Sequence, residues 1–203
     1  MKVCIVAEGC YPYVVGGVSG WINSMIKSFP NIEFILLTII ANRSSRGKFV
    51  YEFPKNVTQV YEVYLEDCEW NNGKKRQKNR KHIRLSKKEY AEMLNMVLNR
   101  KTDWNILFDL FQRKNLSIDD LLMGPDFFQI ARECYNRKYS GIIFSDFLWT
   151  LRSIYLPMFW VLKMNIPKAD LYHCVATGYA GVLGSMAVHF HDSSLLISEH
   201  GIY

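Results

Sequence analysis

The chain lacks a Cys-x-x-Cys pair. Its five cysteines, Cys4, Cys10, Cys68, Cys134 and Cys174, are odd in number and far apart, which argues against a disulfide framework and against a structural zinc site. A reduced, cytoplasmic chain explains them, with Cys4 and Cys174 as small core residues of strands. The apolar run behind Lys2 ends at Ala7 and meets Glu8, so it reads as too short for a signal peptide. The apolar stretch from Ile142 to Met164 contains Asp146, Arg152 and Pro157, so it reads as a kinked, buried helix rather than a membrane span. Neither GxGxxG nor GxxxxGK[ST] occurs, which removes the dinucleotide fingerprint and the phosphate loop. His189, His191 and Asp192 come close together, but no further ligand joins them and no metal site is read there.

What is present suffices for one well-packed domain. The 203 residues are 49% apolar, enough for a core and incompatible with wholesale disorder. The formal net charge of +6 is local: Asn72 to Lys88 holds nine Lys or Arg and no acid, leaving sixteen bases against nineteen acids elsewhere. That run reads as a basic, flexible insertion. It carries no interleaved aromatics, so nucleic acid is disfavoured as a partner.

Along the chain, short β-branched runs alternate with helical periodicity at both ends. Strands are expected at Lys2 to Ala7, Glu33 to Ile40, Val57 to Leu65, Asp170 to Cys174 and Leu195 to Ser198. Between the first two lies a helix from Ser19 to Phe29, with Ser19 as N-cap and Trp21, Met25, Ile26 and Phe29 on its inward face. A Gly/Ala-rich helix spans Thr177 to His189. The middle is helical, with capping boxes at Ser86/Glu89 and Ser117/Asp120, a helix opening at Pro125, and a long one from Ser145 to Lys163. The fold class is therefore α/β: a Rossmann-like parallel sheet flanked by helices, with a helical excursion and the basic insertion. Because the sequence stops one loop after a strand, it reads as part of a longer protein.

Open parallel sheets bind ligands beyond the carboxyl ends of their strands. Three loops qualify. The first, Glu8 to Gly17, offers Gly16 and Gly17, which would permit a positive φ or a close ligand approach, or would form an ordinary strand-to-helix turn. Its Tyr11 and Tyr13 would stack on a sugar or cover the end of the core. The second, Thr177 to Gly181, follows His173 and contains Gly178 and Tyr179. The third begins at Glu199 and His200. Glu8, His173 and His200 are the catalytic candidates, the acid for proton transfer or hydroxyl binding, the imidazoles for a sugar hydroxyl or phosphate.

The stretches Ala7-Glu-Gly-Cys-Tyr-Pro-Tyr-Val-Val-Gly-Gly-Val-Ser-Gly-Trp21, Tyr172-His-Cys-Val-Ala-Thr-Gly-Tyr-Ala-Gly181 and Ser198-Glu-His-Gly-Ile-Tyr203 resemble the amino-terminal domain of PelF-type glycosyltransferases, in the GT4 group of retaining enzymes with the GT-B fold. The resemblance implies the acceptor-side half of a hexosyltransferase that passes sugar from a UDP-sugar to an exopolysaccharide or other glycan. It implies no metal or cofactor beside that donor, and a second Rossmann-like domain that holds most of the nucleotide. Gly16 and Gly17 would border the donor diphosphate, and His173, Tyr179 and His200 would line the transfer cleft. Expected partners are the sugar or polysaccharide acceptor and a membrane-associated polysaccharide export complex, which would hold a cytoplasmic enzyme at the inner membrane face. Glycogen-synthase relatives carry Lys-x-Gly-Gly where this chain has Val14, and a histidine near Gly178-Tyr179 where it has none. Residues 1–203 alone are expected to transfer little sugar. The competing reading is a non-catalytic α/β binding or assembly domain that recruits an anionic polymer or a membrane complex through the basic run.

Overall fold

Lys2-Val-Cys-Ile-Val-Ala-Glu8 forms β1 (Lys2–Glu8), whose inner positions are all buried, as a strand covered on both faces requires. The computed structural model describes residues 1–68, 83–113 and 116–200. In it β1 sits at the centre of a five-stranded parallel sheet with β2 (Glu33–Ile40), β3 (Val57–Tyr64), β4 (Leu171–Cys174) and β5 (Ser194–Ile197), in the order β3-β2-β1-β4-β5. Register sets Ile5 beside Leu36 on one side and His173 on the other. The change of direction in strand order falls at β1, so the loops after β1 and β4 leave the sheet side by side, which is where open α/β sheets keep their ligands. The predicted strands recur within a residue or two.

The chain divides into two compact units, Met1–Asp67 with Met164–Tyr203, and Cys68–Lys163. The sheet unit carries the first and last helices, α1 (Gly17–Ser28) and α7 (Tyr179–His191). Alternation along β1 splits its core. Val3, Ile5 and Ala7 pack in one cluster with Ile22, Ile26, Phe34, Leu36 and Val175, while α7 packs on β1, β4 and β5. Cys4 and Cys174 are buried free thiols, and burial pushes the Cys174 thiol up to about 12, which fits small core residues.

Two expectations about α1 are corrected. Its N-cap is Gly16, in extended conformation, and Ser19 already lies inside the helix. Its buried face is Ser19, Ile22 and Ile26, leaving Trp21 and Phe29 exposed. Of the predicted face, Ile26 is buried and Met25 packs partly buried against the same cluster, so the inward stripe is turned by about one residue from the expected one.

The helical unit contains α2 (Lys87–Val97), α3 (Trp104–Phe111), α4 (Ile118–Leu122), α5 (Pro125–Cys134) and α6 (Phe144–Leu162), with a π-helical turn over Tyr135–Tyr139. Both bonds of the Ser86/Glu89 capping box form, and the Ser117 hydroxyl accepts from the Asp120 amide. Phe111, Phe127 and Phe159 are fully buried, with the Phe111 and Phe159 rings 4.5 Å apart. Pro157 stands within α6 as expected. The basic run from Asn72 lies outside the described residues as far as His82. Among the described residues no helix is long and apolar enough to cross a membrane.

Candidate functional site

At the carboxyl ends of β1, β4 and β5 the sheet unit gathers side chains from all three predicted loops. The loop after β1 delivers the amino end of α1. Its first turn has no side-chain cap and no acidic residue, and its first helical bond is from the Gly20 amide to the Gly16 carbonyl at 2.8 Å. The earlier amides of the turn therefore face outward, with the partial positive charge of the helix end behind them. Neither Gly16 nor Gly17 takes a positive φ; the left-handed glycine of this loop is Gly9, at 64°. A Cβ on Gly16 or Gly17 would meet no atom within 4 Å. The protein's own packing thus makes no steric demand for glycine there, and the backbone of this turn is open to close approach.

Glu8 ends β1 and turns toward α7. Its Oε2 accepts a hydrogen bond from the Ala180 amide at 3.2 Å, and a Cβ on Gly178 would lie 2.8 Å from that oxygen. Glu8 therefore caps the amino end of α7, where a carboxylate occupies the place that an anionic ligand would otherwise take. Gly178 is bare because the carboxylate needs the room. Tyr179 is the first residue of α7 and half-buried.

His173, in the middle of β4, is buried, and its Nε2 lies 2.8 Å from Ser198 Oγ, just beyond β5. Burial, assisted by neighbouring His200, holds its pKa below the usual imidazole value. The Trp21 indole stands edge-on to both imidazoles, 5.6 Å from His173 and 4.7 Å from His200 between ring centroids. One aromatic side chain of α1 thereby ties the β4 position to the loop after β5. His200 and Glu199 are exposed. The cluster can offer an imidazole and an indole edge to a polar ring, with helix-end amides on the same helix as Trp21 for a phosphate.

The two tyrosines are placed otherwise than a sugar platform requires. Tyr11 is 0% exposed and packs on Tyr51 at 5.1 Å and Phe53 at 6.2 Å, so it covers the core. Tyr13 donates to Glu62 Oε1 at 2.5 Å, lies 3.3 Å from Thr38 Oγ1, and is held against Phe49. Both readings of these residues are open in the sequence; burial favours the structural one for Tyr11, while Tyr13 is half-buried and held by its hydrogen bond to Glu62. Trp21 and Ser198 were missed. Periodicity puts Trp21 on the inward face; its place one turn into the helix, five residues after Gly16, is the available signal. Ser198 is a small residue directly after a strand, and nothing in the sequence distinguishes it.

Among the described residues no group of three or more His, Cys, Asp or Glu could hold a metal ion. His191 is occupied with Tyr172, whose hydroxyl lies 2.5 Å from its Nδ1.

No curated protein and no solved structure matches the sequence. A family model does, over residues 1–203, that of a domain of unknown function, DUF3492. With its whole length matched, the chain belongs to the DUF3492 family.

Proposed function

We propose that the sheet unit is the acceptor-side half of a retaining sugar-transfer site that uses a nucleotide-sugar, a UDP-sugar by the resemblance of its three loops. The observation that carries this reading is the Trp21–His173–His200 cluster on the same helix as an uncapped, glycine-bounded amino end. Transfer from a nucleotide-sugar requires donors for a diphosphate that gains charge as the glycosidic bond breaks, and a polar wall that orients an acceptor hydroxyl. The α1 amides at Gly17 and Val18 supply the first. His200 and the edge of Trp21 supply the second, with His173 behind them as a neutral, buried support for the Ser198 hydroxyl. The acceptor is a growing exopolysaccharide or other glycan, and a second Rossmann-like domain supplies the rest of the donor site.

The test is transfer by the natural protein that carries this domain, supplied in turn with UDP-glucose, UDP-N-acetylglucosamine and UDP-N-acetylgalactosamine. Trp21→Ala and His200→Ala should each lower kcat/KM by about a hundredfold, or ~2.7 kcal/mol in the transition state. No transfer from any of the three donors, or full activity in both variants, would remove the reading.

A further inference from the structure

One buried charge in the helical unit has no counter-charge among the described residues. Arg152, in α6, is 6% exposed. Its Nε donates to the Leu122 carbonyl at the end of α4 at 3.0 Å, and its guanidinium carbon lies 5.4 Å from the centroid of the Trp149 ring. No ion pair among the described residues includes it. The contrast within the same unit is Glu89, equally buried, whose carboxylate meets the Arg113 guanidinium and the Ser86 amide. Burial alone lowers the Arg152 pKa, with no carboxylate to oppose it. Charges taken out of water are ordinarily paired, because an uncompensated one is strongly destabilising.

A guanidinium presents five N–H donors arranged as forks. Leu122 takes Nε and thereby fixes the plane of the group, and among the described residues no hydrogen bond takes the terminal fork of Nη1 and Nη2. That fork matches two oxygens of a carboxylate or phosphate. Trp149, one turn earlier on the same helix, is 53% exposed and sets an aromatic surface beside the charge. An indole offers a broad apolar surface with a polar N–H, suited to the C–H face of a sugar ring or to another flat ring.

We propose that Arg152 and Trp149 form a binding site in the helical unit for an oxyanion, carboxylate or phosphate, carried on a sugar-sized ring. The terminal fork takes two oxygens of the anion and the ring lies against Trp149. The proposal does not depend on the sugar-transfer reading.

Calorimetric titration at low ionic strength with D-glucuronate and with glucose 6-phosphate, against glucose as the neutral control, tests it. At least one anion should bind saturably where glucose does not, and the responsive anion identifies the group. Binding should change tryptophan emission in the wild type and leave it unchanged in Trp149→Phe. Arg152→Lys keeps the charge but loses the fork, and should weaken binding by about tenfold or more. Arg152→Met should abolish it. Should Arg152→Met fail to fold, the wild-type and Arg152→Lys titrations decide alone. The proposal is overturned if neither anion binds the wild type, if glucose binds equally well, or if Arg152→Lys binds like the wild type, which would leave the guanidinium as a cap for the carbonyl end of α4.

Discussion

Glu8 and Gly178 share one small space, and each explains the other. A methyl group at residue 178 would drive the Glu8 carboxylate off the Ala180 amide, so both Gly178→Ala and Glu8→Ala should forfeit the same cap. Each is expected to cost about 1 kcal/mol, within the range for lost helix caps. The double variant should cost little more than either alone, since the second change finds nothing left to remove. Urea denaturation of the four proteins checks this; strictly additive costs would show that the clash and the cap are unrelated. The sequence placed Glu8 and Gly178 correctly at loop positions after strands. It was silent on their contact, because residues 170 positions apart meet only through the parallel pairing of β1 with β4. Tyr11 shows the opposite failure: an aromatic in a loop beside glycines looks accessible, and only the packing of Tyr51 and Phe53 over it closes that access.

At the scale of elements, α7 depends on the absence of a side chain. A Cβ on Gly184 would run into Cys174 Sγ and lie 2.7 Å from Leu195 Cδ1, so the helix rests directly on β4 and β5. Unlike the mobile end of Glu8, the Cys174 sulfur is buried in a strand and has nowhere to move. Gly184→Ala should therefore destabilise by about 1–3 kcal/mol despite the better helix propensity of alanine, the cost typical of overpacked cores. Adding Cys174→Ala should restore part of the loss by making room. A urea midpoint unchanged by Gly184→Ala, at constant m-value, would contradict the packing. The small-residue composition of this helix was legible, as were the strands and the Ser86 and Ser117 caps, since these signals are local in sequence. The inward face of α1 was only half legible: Ile26 and Met25 pack on the core as the periodicity implied, while Trp21 and Phe29 do not, because neighbouring stripes of one helix differ by a single residue.

At the scale of the whole molecule, the chain leaves the sheet after β3, builds α2 to α6 among the described residues, and returns for β4. The sequence showed the excursion as too many consecutive helices for a plain βαβ repeat. That it forms a compact unit of its own follows from long-range packing, as between Phe111 and Phe159. The two units also differ in how acid should affect them. Of the five histidines, His173, His189, His191 and His200 belong to the sheet unit, and His82 lies outside the described residues. Burial lowers the pKa of His173, with His200 adding to it, and burial also lowers that of His191, with Lys168 adding to it. A folded-state imidazole pKa below the unfolded value of 6.5 means that the unfolded chain binds the proton first. The stability these residues contribute is therefore fully present above about pH 6.5 and falls as pH drops from there to the folded-state pKa values, where the loss levels off. Between about pH 7.5 and 5.5 the sheet unit should lose hydrogen-exchange protection while the helical unit, judged by its α5 and α6 amides, changes little. His173→Gln should flatten the response of β1 and β4. Equal loss in both units, or an unaltered pH response in the variant, would mean that other groups govern acid stability.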